Sequence, residues 1–328
     1  MKVPVTGGAG FIGSHLVEAL LARGDAVTVI DDCSTGSLDN ARLHDGHPNY
    51  QFVQGTVLDR SLFESLAADA DHIYHLAAAV GVRWVIDNPL QSIITNVRGT
   101  EIVLETAERT GARVLIASTS EAYGKNDSDM LSEDDDRILG STRVTRWLYA
   151  ATKSLDECLA FAYWQEKQLP VVIVRFFNTI GPRQTGRYGM VVPRFVEQAL
   201  RNQPITVYGD GEQTRCFTDV RDVVRAITAL MSSDRALGEV FNVGQSSEIS
   251  IHHLALRIRE LAESSSEIAL VPYDQAFTGG GFEDMRRRVP NVEKLRGVVG
   301  FSPAIPLDET LRHIVEERRS NLAATNPV

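Results

Sequence analysis

The stretch Val3-Pro4-Val5-Thr6-Gly7-Gly8-Ala9-Gly10-Phe11-Ile12-Gly13 constrains this chain more than any other part of it. A β-branched run leads into a glycine-rich turn, and apolar residues at helical spacing (Leu16, Ala19, Leu20) follow. The pattern reads as strand, turn, helix. Gly7, Gly10 and Gly13 permit a tight turn, close approach of a pyrophosphate and packing of the helix on the strand. The amides at the start of that helix then face the phosphates, with Phe11 and Ile12 in its first turn. Val27-Thr28-Val29-Ile30-Asp31-Asp32 comes about 20 residues later, where an acid at a strand end accepts hydrogen bonds from the adenosine ribose and repels a 2′-phosphate. Asp31 and Asp32 therefore favour NAD over NADP. One residue fits badly: Pro4 falls in a strand that should be central, where a missing donor costs a ladder bond.

The first half alternates strand-like runs (Ala26–Ile30, Ile73–Leu76, Val114–Ala117, Val171–Val174) with helical patterns such as Ile102, Val103 and Thr106. Runs without strict alternation suit strands buried on both faces, and strand–helix alternation implies a parallel sheet. The expected fold is α/β, a Rossmann-type doubly wound parallel sheet spanning residues 1–175. After that, prolines punctuate shorter elements, and residues 176–320 read as a smaller α/β lobe interleaved with the first. Gly279-Gly280-Gly281 suggests a mobile loop, Glu133-Asp134-Asp135-Asp136 a solvated one, and residues 321–328 a frayed tail.

Composition narrows the function classes. A net charge of −10 disfavours nucleic acid as the main partner. No apolar run approaches the ~18 residues of a membrane span, and the first strand runs straight into the glycine motif, leaving no room for a signal peptide. Cys33, Cys158 and Cys216 are sparse and unclustered, which suggests reduced thiols and a cytoplasmic protein. The histidines show no ligand spacing, so no metal is expected.

Two further segments carry chemistry. Tyr149 and Lys153 stand four apart on one helix face, where an ammonium favours the phenolate and makes tyrosine a usable general base. Ser118-Thr119-Ser120-Glu121 follows a buried strand, at the end of a parallel sheet where ligands bind. Hydroxyls and a carboxylate there can hold a sugar and move a proton.

Together these residues resemble the extended short-chain dehydrogenase/reductase family that acts on nucleotide sugars. The resemblance also rests on His75-Leu76-Ala77-Ala78, Asn96, Arg175-Phe176-Phe177-Asn178, Gly181-Pro182-Arg183 and Val207-Tyr208-Gly209-Asp210-Gly211 leading to Arg215. Thr119-Ser120-Glu121, Gln213 to Phe217, Arg146-Trp147-Leu148-Tyr149 and Glu283 to Pro290 look most like UDP-glucuronate decarboxylases within it. The family implies cofactor contacts from Leu76, Ala77, Ala78 and Asn96. Thr56-Val57 stands where members often have an acid, leaving the adenine to Val57. The family also implies substrate contacts from Asn178, Val207, Tyr208, Arg215 and Arg287.

The resemblance implies a UDP-sugar substrate and a transient 4-keto sugar. Tyr149 takes the C4 hydroxyl proton, Lys153 tunes Tyr149, Thr119 bonds the C4 oxygen, and Glu121 lies near C5. UDP-glucuronate decarboxylase is the leading expectation. A 4-epimerase and a 4,6-dehydratase remain open, although Ser120 is too weak an acid for the second. A homodimer is expected through two helices per subunit, with Ile94, Val97, Leu159 and Phe161 as apolar contacts.

Overall fold

The computed structural model describes residues 1–186, 189–276 and 285–325. The Gly279–Gly281 run lies outside them. Seven strands form one sheet: β1 (Lys2–Thr6), β2 (Ala26–Asp31), β3 (Tyr50–Gln54), β4 (His72–His75), β5 (Arg113–Thr119), β6 (Val171–Phe176) and β7 (Glu239–Val243). Their order is β7-β6-β5-β4-β1-β2-β3, and every pairing is parallel. The chain winds outward from β1 in both directions, so a cleft opens beyond the strand ends between β1 and β4.

The longer helices on the sheet are α1 (Phe11–Ala22), α2 (Gly99–Thr110), α3 (Leu148–Lys167) and α4 (Val220–Met231). α1 and α4 pack with Val3, Val5, Leu115 and Val172 on one face. α2 and α3 pack with Ile73, Val114, Ile116 and Val171 on the other. Successive residues of β5 thus enter opposite cores, which is why its apolar run shows no alternation. A third core, including Phe195, Ile205, Leu254 and Leu311, lies among the helices Val191–Leu200, Ile251–Leu261 and Leu307–Thr325. β7 returns from this second half of the chain to extend the large sheet beside β6.

Pro4 is accommodated by its neighbour. It is paired with Thr28 of β2, while the pairing of β1 with β4 begins only at Val5. Lys2 and Thr6 turn their carbonyls to the β4 side, so the missing donor at Pro4 faces a stretch where the ladder is not yet formed.

Two expectations are corrected. The last helix continues through Thr325, past Asn321, where fraying was expected; residues 326–328 lie outside the described part. Glu133 is buried, not solvated: its Oε1 accepts from the Asn242 amide at 2.8 Å, and its carbonyl accepts from Arg175 at 2.9 Å. The acidic run therefore anchors a loop onto β6 and β7. Burial pushes the Glu133 carboxyl above its ordinary range, only partly offset by the Asn242 amide.

The same region holds a buried ion pair. Arg175 on β6 donates to both oxygens of Glu157 on α3, at 3.0 and 2.8 Å, and the Ser118 hydroxyl donates to the same carboxylate. The guanidinium also lies over the Tyr123 ring, 4.6 Å from its centroid. Arg175→Ala should destabilise the protein by about 3–5 kcal/mol, because the partner charge stays buried without its counter-ion. Urea unfolding checks this, with the half-exposed Arg137 as the comparison that should cost under about 1 kcal/mol.

Candidate active site

A cavity of about 660 Å³ runs across the cleft from Gly7 to Arg288. At its nucleotide end, Gly7 adopts φ 75°, and its carbonyl accepts from the Gly10 amide at 3.1 Å. A Cβ at Gly7 would come 2.7 Å from the Ala77 nitrogen, and one at Gly13 would come 2.2 Å from the Gly7 oxygen. Only glycine fits either place. Gly10 caps α1 without any side-chain hydrogen bond, which leaves the first-turn amides to an anion. This cradle fits the pyrophosphate of a dinucleotide.

Asp31, at the end of β2, accepts from the Ala9 amide at 3.0 Å and from the Cys33 amide at 2.8 Å. Burial, together with Asp32 nearby, raises its carboxyl above the ordinary value despite those amides. Asp32 is exposed and takes the Ser34 amide at 2.8 Å. Thr56, Val57, Leu76, Ala77 and Ala78 line the same wall, as do Phe11 and Ile12. Asn96 does not line it. It lies fully buried behind, in a π-turn over Ile94–Arg98. Its Oδ1 accepts from the Ala79 amide at 2.8 Å and its amide donates to Thr152 at 3.2 Å. Asn96 thus ties the loop after β4 to the helix carrying Tyr149.

At the other end, β5 delivers Thr119, Ser120 and Glu121 to the cavity, and α3 delivers Tyr149 and Lys153. The Glu121 carboxylate accepts from Arg146 at 2.6 and 3.2 Å, and Arg288 stands 3.7 Å from it. Burial alone would raise the Glu121 pKa, but the Arg146 and Arg288 guanidiniums outweigh it and hold the carboxyl below its ordinary value. Glu121 is therefore an ionised acceptor at neutral pH. The Tyr149 hydroxyl shifts the other way. Burial first, then Glu121 and Asp156, hold it far above the usual tyrosine range. Lys153, one turn further along α3, donates from its Nζ to Asp156 at 3.0 Å.

The residues expected to touch substrate divide. Asn178 lines the cavity, at φ 28°, and its Oδ1 accepts from Arg288 at 2.9 Å. Arg287 faces outward, bonded to Glu248 and Asp129. Arg288 takes the inward place because Leu131 bridges the strand-like segment at Pro290, so consecutive side chains point to opposite sides. Arg215 is buried outside the described wall, donating to the Thr214 carbonyl at 2.7 Å. Val207 is core. Tyr208 lies under the Arg194 guanidinium, 3.9 Å from its ring centroid, and is likewise outside that wall. Sequence reasoning left Arg146 and Arg288 out of the site. The first had a signal, since it precedes Tyr149 by nearly one turn; the second depended on the Leu131 bridge.

A Rossmann sheet with a glycine cradle at one end of its cleft and a Tyr-x-x-x-Lys helix at the other defines the class: a dinucleotide-dependent α/β enzyme. The chain belongs to the NAD dependent epimerase/dehydratase family, whose profile matches residues 3–244. It is 40% identical to a UDP-N-acetyl-alpha-D-glucosaminuronate decarboxylase of Bacillus cytotoxicus, over 95% of this chain and 96% of that protein. It is 36% identical to UDP-glucuronic acid decarboxylase 1 of Xenopus tropicalis, over 98% of this chain and 73% of the relative. Among solved structures, UDP-glucuronic acid 4-epimerase from Bacillus cereus, in complex with UDP-glucuronic acid and NAD, superimposes with a TM-score of 0.87. That match has 30% identity and covers 98% of this chain and all of the other.

If Asp31 accepts from the adenosine ribose, its raised carboxyl gives NAD binding a pH dependence. Ribose hydroxyls need the ionised form as acceptor, and a raised pKa means that form is lost at a higher pH than for an ordinary aspartate. NAD affinity, followed by calorimetry, should begin to fall on acidification above the usual aspartate range. Asp31→Asn should bind NAD more weakly and show no such fall.

Proposed function

We propose that the protein is an NAD-dependent decarboxylase of a UDP-hexuronate, acting through a 4-keto intermediate. The observation that carries this reading is the convergence of Arg146 and Arg288 on the cavity wall beside Thr119 and Tyr149. A guanidinium pair is matched to a carboxylate, and two guanidiniums against the single Glu121 carboxylate leave one positive charge in excess to attract a sugar acid. The two decarboxylase relatives support the same substrate class, and their named sugars differ by an acetamido group in place of a hydroxyl.

In this reading residues 1–175 hold NAD, and residues 176–320 mainly hold the UDP-sugar. Gly7, Gly10 and Gly13 cradle the pyrophosphate, Asp31 takes the ribose, and Val57, Leu76, Ala77 and Ala78 flank the adenosine and nicotinamide. NAD supplies the acceptor for the C4 hydride and returns it at the end. Tyr149 accepts the C4 hydroxyl proton as that hydride leaves, and Lys153 provides the neighbouring positive charge. Thr119 donates to the C4 oxygen. The ketone is then β to the C5 carboxylate, so the C5–C6 bond electrons pass into an enolate whose oxygen Thr119 and Tyr149 stabilise. CO2 leaves, and C5 takes a proton from solvent, with Glu121 orienting the water. Glu121 works here as an ionised acceptor; Arg146 and Arg288 hold the sugar acid.

With C6-labelled UDP-glucuronate and its 2-acetamido counterpart, labelled CO2 should appear from one of the two, with one deuteron at C5 in heavy water. Tyr149→Phe should abolish both NADH formation and CO2. Glu121→Gln should keep NAD binding and slow turnover by about 10²–10⁴-fold. Thr119→Val should cost about 2.7–4 kcal/mol in kcat if it acts as an oxyanion donor. The solved 4-epimerase supports one alternative. UDP-galacturonate formed without CO2 and without label at C5 establishes it and removes the decarboxylase reading.

We further infer a cytoplasmic homodimer. All three cysteines are unpaired, which suits a reducing compartment. Leu159 and Phe161 pack inward against the sheet core, so they leave the proposed dimer surface. Leu90, Ile93 and Ile94 before α2 and Leu155 on α3 are 69%, 39%, 36% and 47% exposed, an apolar strip across two adjoining helices. Light scattering at micromolar concentration should give twice the chain mass, and Leu90→Asp with Leu155→Asp should give the monomer.

A further inference from the structure

Lys153 stands between two groups on one face of α3: Tyr149 a turn before it and Asp156 a turn after it. Its Nζ donates to Asp156 Oδ2 at 3.0 Å, and the two side chains are 1% and 0% exposed. A buried carboxylate is costly to fold, and the helix does not need this one to hold the sheet. The adjacent Glu157 already does that, bound to Arg175 and Ser118. We infer that Asp156 is a positioning residue for the reaction: it draws the Lys153 ammonium toward itself, divides that charge with the Tyr149 hydroxyl, and so sets how strong a base Tyr149 becomes. The inference rests on Tyr149 acting as the base.

The surroundings leave this role to Asp156. From β4, His75 faces Lys153, but burial pushes its imidazole down to about 3, so it carries no charge at neutral pH. His75 contacts the Thr100 hydroxyl of α2 at 3.2 Å, and Thr100 in turn helps to hold Asp156 ionised, as does Lys153, against the burial that raises it. Glu157 and Arg175 cancel each other. From beyond β5, Glu121 opposes the phenolate, but Arg146 and Arg288 compensate its charge. Asp156 is the acid whose only charged hydrogen-bond partner among the described residues is Lys153 itself.

Asp156→Asn keeps the shape and removes the charge. The acid limb of kcat against pH should move about one unit lower, and Asp156→Glu should restore the wild-type limb. Ultraviolet difference titration of the NAD complex without sugar, with Tyr149→Phe as the blank, should show the same downward displacement of the phenolate. That second measurement needs no substrate. If the wild type decarboxylates no UDP-hexuronate, the function reading falls while the titration still decides the role of Asp156. Should Asp156→Asn fail to fold, Asp156→Ser carries the same expectation. An unmoved limb with a lower kcat makes Asp156 structural only and overturns the inference. A limb displaced upward overturns it too, because removing the acid would then have weakened the positive charge felt by Tyr149 instead of strengthening it.

Discussion

The bridge between Glu157 and Arg175 is the contact on which the catalytic end depends. It joins α3 to β6, takes in Ser118 at the end of β5, and lies where water does not reach. A charged pair in that position stabilises little by itself, since desolvation offsets most of its attraction. Its directionality is what matters. Two donors on a rigid guanidinium meet two oxygens in one arrangement, and that arrangement sets the rotation of α3 against the strand ends. Tyr149 and Lys153 then face Thr119 across the cleft. Arg175 also reaches the carbonyl of Glu133, whose carboxylate caps β7 at Asn242. Asn242 in turn donates to the Leu131 carbonyl, and Leu131 seats the segment bearing Arg288. One buried network therefore orders both the helix of the reacting groups and the chain that brings a guanidinium beside them.

Charge in the cavity is arranged as opposed pairs. Glu121 is held ionised by Arg146 and Arg288, and Lys153 is paired with Asp156, while burial, Glu121 and Asp156 raise the Tyr149 hydroxyl between them. Pairing lowers the cost of burying these charges without removing it. It changes when a ligand brings charge of its own. In the proposed reaction a sugar carboxylate would compete with Glu121 for the arginines, and a cationic nicotinamide would alter the balance around Tyr149. The same tight pairing limits what each residue can do. Glu121, with two arginines on it, is a poor proton donor and a good acceptor.

Much of this was legible in the residues themselves. Local geometry dictates the turn at Gly7–Gly13, since only a residue without a Cβ fits against Ala77 or the Gly7 carbonyl. The continuous apolar runs announced a sheet covered on both sides, and the four-residue spacing of Tyr149 and Lys153 placed them on one helix face. These features depend on steric limits and on periodicity, which short stretches of chain express without reference to the rest. The acid at Asp31 follows from the same logic, being fixed to the end of β2 by the repeat of the βα unit.

The remainder required contacts between segments far apart in the chain. Glu133 looked like part of a solvated acidic run, and only its reach to Asn242, more than a hundred residues on, buried it. Arg287 and Arg288 are equivalent as letters; the bridge at Leu131 turned one outward and the other into the cleft. Lys153 and Asp156 stand three apart on α3, so their pairing lay within reach of the helix period, and only the packing of α3 against α2 and β5 buried both. Periodicity and glycine sterics act within one element, so the sequence by itself determined the sheet, the cradle and the helix that carries Tyr149 and Lys153. Burial and charge compensation depend on which elements meet, so only the tertiary structure decided which acids are buried, which are held ionised and which arginine enters the cleft.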